Sequence, residues 1–238
     1  MPVKVGGRIA ALTFLKLPGY IVANLFLLIR RMTVNIFRCL NAGKVQWTSL
    51  EKIVKIIRTS PLLRAHTMQA RNYFADGNRT KGNKIKKNKL PAFAPAGYLL
   101  GGKGRVNLIG LTSICFIDID YVGEEEVNRC MGLLQVDEHV LMAAKSISGE
   151  GLHILVPYTI KRDDPFESLP AEPKKLNQIY GKVFGVIAGR YGRMLGVPFD
   201  KEARNAERLC LISYDADALF NPQALPIEFR YEELITNR

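Results

Sequence analysis

Residues 113–122, SICFIDIDYV, constrain the fold more than any other stretch of this chain. A strand alternates faces with period two, so Ile114, Phe116, Asp118 and Asp120 share one face while Cys115, Ile117 and Ile119 share the other. Both faces begin apolar, which predicts a central strand covered on both sides. The two carboxylates then stand about 7 Å apart on one face, and each raises the cost of ionising the other unless a cation or solvent compensates.

The elements around this strand predict an α+β fold. Leu176, Ile179, Tyr180, Val183, Phe184, Ile187, Tyr191 and Met194 recur at helical spacing, which predicts a long amphipathic helix over 174–195. Upstream, Ser49 caps a helix running to about residue 58, stopped by Thr59-Ser60-Pro61, and LLRAHTMQARNYFA carries a second, short helix. The lysine- and asparagine-dense residues 76–89, DGNRTKGNKIKKNK, have almost no apolar content and read as a loop, either contacting phosphate or merely solvated. The Pro- and Gly-rich LPAFAPAGYLLGGKG then leads into the carboxylate strand.

Beyond that strand, GEEEVNRCMGLL reads as a short helix with acids in its first turn, HVLMAAKSIS as a strand, SGEG as a turn and LHILVPY as the strand pairing back. ERLCLISYD reads as the last strand. This order predicts a mostly antiparallel sheet packed by helices, and not a doubly wound fold. No internal repeat is present.

With 238 residues, 47% of them hydrophobic, the chain can build a real core. Its net charge of +12 is uneven: residues 1–105 hold 20 of the 34 Lys and Arg against two acids, Glu51 and Asp76, so this part carries +18 and the remainder −6. A basic front suggests a tracked polyanion, and an acidic rear suggests divalent cations. Cys39, Cys115, Cys130 and Cys210 are widely spaced with no C-x-x-C pair, which indicates neither a zinc knuckle nor a disulfide framework and fits a reducing, cytoplasmic setting.

Residues 10–29, AALTFLKLPGYIVANLFLLI, nearly suffice to span a bilayer but are interrupted by Lys16 and Pro18-Gly19. Three readings stay open: a membrane anchor, an amphipathic or buried helix, or sequence upstream of a start at Met32. No stable membrane partner is expected. The organisation is therefore residues 1–31 as a hydrophobic extension, 32–105 as a basic part of the functional module, and 106–238 as its core.

Two motifs carry chemistry. A D-x-D at the end of an apolar strand suits Mg²⁺ or Mn²⁺, because hard cations take carboxylate oxygens; it also occurs where strands simply end at solvent. In SISGEGLHILVPY, residues 146–158, Ser148, Gly149 and Gly151 form a tight turn able to approach an anion, with His153 following on a strand face. A glycine hairpin with a satisfied histidine is the plainer alternative. A rolling-circle nuclease is excluded, since His153 has no histidine two residues away.

In combination, hhhDhD, then S-G-x-G-x-H-h-h-h-P, then a later h-D resembles the catalytic core of the archaeo-eukaryotic primase (primase-polymerase) superfamily. SGEGLHILVP also resembles the polymerase domains of bacterial end-joining ligases. The closer resemblance, through KLPAFAPAGYLLGG and ERLCLISYDADALFNP, is to the primase-like domains preceding virulence-E-type helicases on bacterial mobile elements. It covers roughly residues 32–222.

The resemblance implies a primase-polymerase core with an RRM-like sheet. It implies metal ligation by Asp118, Asp120 and Asp200, with Asp215 the competitor for the third acid, and nucleotide binding by Ser148, Gly149, Gly151 and His153. Arg208, Arg204 and Lys89 are further candidates for phosphate, nucleotide or template, although Arg208 can equally form an ion pair with Glu207 or Asp215. The implied activity is template-dependent nucleotidyl transfer by two Mg²⁺ or Mn²⁺ ions on single-stranded DNA. Nucleoside triphosphates are the substrates, and a separately encoded helicase is an implied partner. A DNA-binding replication module without turnover is the alternative.

Overall fold

A computed structural model describes residues 33–163 and 168–236 of the protein. The hydrophobic stretch 10–29 lies outside these residues. Strands β1 (Thr33–Phe37) and β2 (Gln46–Ser49) are followed by helices α1 (Leu50–Thr59), α2 (Pro61–Ala75) and α3 (Arg79–Asn88). Short strands β3 (Ala92–Ala94), β4 (Gly97–Leu99) and β5 (Leu108–Leu111) lead to β6 (Ile114–Ile119), α4 (Glu124–Gln135), β7 (Met142–Lys145) and β8 (Leu152–Lys161). Helix α5 (Pro173–Leu195) precedes β9 (Cys210–Leu211), β10 (Leu219–Phe220), β11 (Ile227–Arg230) and α6 (Tyr231–Ile235).

One sheet has the order β2-β1-β3-β9, so β9 from the acidic rear closes a sheet begun in the basic front. The other runs β10-β7-β8-β11, with β6 also paired to β8, while β4 and β5 form a separate hairpin. All pairings are antiparallel except β8 with β11, giving the expected α+β architecture with a mostly antiparallel sheet packed by helices. No helix among the described residues is long and apolar enough to cross a membrane.

The helices follow local chemistry. Ser49 Oγ accepts from Lys52 N–H at the start of α1, and Ser60 Oγ accepts from Leu63 N–H at the start of α2, where Pro61 fills the first turn. Helix α5 buries the expected stripe from Leu176 through Tyr191, and it ends at Gly196, whose φ of 69° is left-handed.

Two expectations need correction. Residues 76–89 are not a loop, because most of them form α3: Asn78 Oδ1 accepts from Lys81 N–H, and Lys86 and Lys87 suit the negative end of the helix dipole. Gly82 is its one buried residue, and an added Cβ would come within 2.4 Å of the Phe74 ring, so α3 packs closely on α2 through a glycine. A helix docked this way needs no apolar stripe.

Strand β6 is buried along all its residues, as expected, yet it is not central: among the described residues it pairs only with β8. Helix α5 packs beside it, and Tyr180 Oη accepts the Phe116 N–H at 3.1 Å. A tyrosine hydroxyl thus takes an amide that a neighbouring strand would otherwise accept.

The strand expected in ERLCLISYD shrinks to Cys210–Leu211, because the following residues bond to other elements. Ser213 donates to Lys145 O, Tyr214 N–H to Thr67 Oγ1 and Asp215 N–H to Ile57 O.

Candidate active site

Antiparallel pairing of β6 with β8 sets Asp118 directly opposite His153, and Phe116 on the same face meets the imidazole edge-on at 5.8 Å. His153 Nε2 lies 3.5 Å from Asp118 Oδ1, too far for a strong hydrogen bond, and that buried oxygen has no hydrogen-bond partner. Asp120 follows at the exposed strand end.

The third carboxylate arrives from the segment after α5. Asp200 N–H donates to Asp118 O at 2.7 Å, so main chain fastens this segment to β6. Its carboxylate accepts from Glu202 N–H at 2.9 Å, opening a 3-10 turn at Lys201–Arg204, and from Arg208 Nη2 at 2.8 Å. One oxygen each from Asp118, Asp120 and Asp200 lies within 4.8 Å of the others. Three carboxylates, one carrying an orphaned buried oxygen, fit a hard divalent cation.

The turn expected at 148–151 lies against this strand. Gly149 has φ +83°, and a Cβ on Gly151 would lie 2.2 Å from Ile119 O and 3.2 Å from the Asp120 Cα. Close approach of the two backbones therefore demands glycine at 151. Ser148 Oγ pairs with Ser146 Oγ at 3.1 Å and accepts from Glu150 N–H. Arg71 of α2 braces the turn, donating to Ile147 O at 3.1 Å and Ser146 O at 3.2 Å.

Burial pushes the Asp118 carboxyl up to about 6, against the pull of Arg208 and with the push of Asp200. Asp120 is raised by burial and by Asp118, whereas burial lowers His153 to about 4. His153 is therefore neutral at pH 7, with one ring N–H to donate.

Because folding raises the Asp118 pKa, the folded chain binds more protons between about pH 4 and 6, and stability falls as pH rises through that window. The cost above pH 6 is of the order of 3 kcal/mol. Asp118→Asn is accordingly expected to melt higher than the wild type at pH 7.5, with the gap closing toward pH 4. Mn²⁺ should raise the wild-type melting temperature at pH 7.5 and much less at pH 5. A pH-independent gap in thermal melts would remove Asp118 as its source.

Asp118, Asp120, Ser148 and His153 line a cleft of about 920 Å³, whereas Asp200, Gly149 and Gly151 are not among its lining residues. Its walls include residues that the sequence did not single out as ligand contacts: Arg71, Arg79, Asn83, Lys86, Lys103 and Tyr121. Arg79, Asn83 and Lys86 stand at i, i+4 and i+7 on α3, a spacing that becomes a signal only once 79–88 is known to be helical. Arg208 lines the cleft and pairs with Asp200, not with Glu207 or Asp215. Lys89 is exposed at the end of α3 and Arg204 is also exposed; neither lines the cleft. Asp215 lies outside the acidic cluster, its oxygens accepting from Lys145 N–H and Asp217 N–H.

Fold and site together describe an α+β protein in which Asp118, Asp120 and His153 line a basic-walled cleft, with Asp200 close to the two carboxylates and a glycine turn packed against their strand. Residues 85–220 match the model of the family described as BT4734-like, N-terminal domain. That is more than half of the chain, and the protein belongs to this family. No curated protein matches it. Among solved structures, the AEP domain (PP-N190) of the cyanophage S-2L primase-polymerase (PrimPol) is similar with a TM-score of 0.40 and 12% identity, covering 90% of this chain and 94% of that one.

Proposed function

We propose that the protein is a template-dependent nucleotidyltransferase of the primase or primase-polymerase type, acting on single-stranded DNA with nucleoside triphosphates. The observation that carries this reading is the convergence of Asp118, Asp120 and Asp200 beside His153, which the β6–β8 register sets opposite Asp118. Mg²⁺ or Mn²⁺ held by these carboxylates would lower the pKa of an attacking 3′-OH and stabilise charge on the phosphoryl oxygens. The remaining work falls to the chain's own groups. Neutral His153 donates its ring N–H to a phosphate oxygen, and the braced 148–151 turn brings main chain close to the triphosphate. Arg208 and Lys86 supply positive charge at the same cleft. The 3′-OH attacks the α-phosphorus, the bond to the bridging oxygen breaks, and pyrophosphate leaves.

Helix α3 carries Lys81, Lys84 and Lys87 around its circumference in addition to Arg79 and Lys86 at the cleft, and this positive charge suits a strand backbone whose binding weakens with salt. The test is primer synthesis and extension on single-stranded DNA with Mn²⁺ and labelled nucleotides. Incorporation that follows the template supports the reading. Salt-dependent DNA binding without incorporation under any metal identifies a binding module instead.

Lys86 and Lys89 make a useful contrast. Lys86→Ala is expected to weaken binding of inorganic triphosphate about ten-fold, the usual scale for a lost charge-assisted hydrogen bond. Lys89→Ala, altering a residue outside the cleft, should leave it unchanged. Titration calorimetry checks both, and equal effects would place the phosphates elsewhere.

A further inference from the structure

Tyr121 follows Asp120 directly and has a φ of 55°, in the left-handed region where a bulky side chain is an outlier. The bend itself is useful: it turns the chain out of β6 so that Val122 N–H reaches Glu150 O at 2.8 Å, beside the 148–151 turn. Glycine makes such a bend at lower cost, and glycine stands two residues on at Gly123, with φ 88°. The phenol ring therefore needs its own account, and packing does not provide one. Tyr121 is 71% exposed and forms no hydrogen bond or ring contact among the described residues. It lines the same cleft as Asp118, Asp120 and His153.

We infer that the Tyr121 ring is a stacking surface for a nucleobase in this cleft. The inference rests on the nucleotide-binding reading above. An exposed aromatic face stacks any base, and removing one such ring typically weakens binding about ten-fold or more. Phosphates held on the basic and histidine side leave the base as the ligand's one flat apolar part, and Tyr121 is the aromatic residue of the cleft most open to solvent.

The test compares wild type with Tyr121→Phe, Tyr121→Ala and Tyr121→Gly in Mn²⁺. Binding is measured for dATP, inorganic triphosphate, oligo(dT) and an abasic oligonucleotide of the same length. Tyr121→Gly removes the ring while relieving the backbone, so it should melt no lower than wild type. The expected result is an approximately ten-fold loss for Tyr121→Ala and Tyr121→Gly, retained affinity for Tyr121→Phe, and no change for triphosphate or the abasic strand. A loss seen with dATP assigns the stacked base to the incoming nucleotide, and one seen with oligo(dT) assigns it to the strand. Unchanged affinity for both base-bearing ligands, with incorporation still observed, overturns the role of Tyr121 and spares the nucleotidyltransferase reading. Absence of nucleotide and DNA binding in the wild type overturns both.

Discussion

Replacing Asp118 and Asp120 together with alanine is expected to abolish primer synthesis and extension while leaving single-stranded DNA binding intact. Loss of a group that only supports a metal ligand commonly costs 10- to 100-fold, so losing two of three ligands should exceed ~100-fold. The fold should tolerate the change. Asp118 is a buried carboxylate raised by desolvation, and Asp120 lies at an exposed strand end, so their removal relieves unfavourable charge. Binding should persist because the basic helix α3 is untouched. Labelled-nucleotide incorporation alongside a salt titration of DNA binding checks both halves, and undiminished synthesis by the double variant would take these carboxylates out of the mechanism.

Gly151→Ala should be the most damaging single methyl in the cleft. Its Cβ would stand 2.2 Å from Ile119 O and 3.0 Å from Ser146 Oγ, and the first of these is main chain of the carboxylate strand. Overpacking of this kind costs about 1–3 kcal/mol, or several degrees in melting temperature for a domain of this size. Relief requires the turn to lift away from β6, which also moves Ser148 relative to Asp118 and Asp120. Stability and incorporation should therefore fall together. Gly149→Ala is the control: its φ of +83° makes alanine strained, but the new methyl meets only the Arg71 guanidinium, Nε at 3.6 Å and Cζ at 3.8 Å, in ordinary van der Waals contact. Its cost should be the backbone term alone, about 1–2 kcal/mol. Thermal melts of both variants check these costs, and a Gly151→Ala variant as stable as wild type would contradict the close contact at 151.

The two residue groups that dominate these predictions were legible because their signals are local. An apolar strand ending in D-x-D and a serine-glycine turn before a histidine can be read residue by residue, and pairing them needs only the hairpin between β7 and β8 and the strand before it. Asp200 was legible only through the resemblance, since its approach depends on a long-range bond from its N–H to Asp118 O. The basic wall was not. Helix α3 has one buried residue, a glycine, so the apolar periodicity that reveals α5 is missing there. Lys89 was singled out for its place before Leu90-Pro91 in the family-like segment, but it caps the C-terminal end of α3 outside the cleft, while Lys86 within the helix lines it. The position of β6 at a sheet margin was hidden too, because a side chain 64 residues away, Tyr180, hides its free edge.

The bond from Asp200 N–H to Asp118 O carries a last consequence. Two of the three acids are joined through their main chains, so their spacing is set before any ligand arrives and survives replacement of either side chain. An arriving cation need not gather distant segments, and little ordering entropy is charged against its binding. On the metal-binding reading, what a cation would relieve is electrostatic repulsion that folding has already confined, which would make the site a preorganised trap for positive charge.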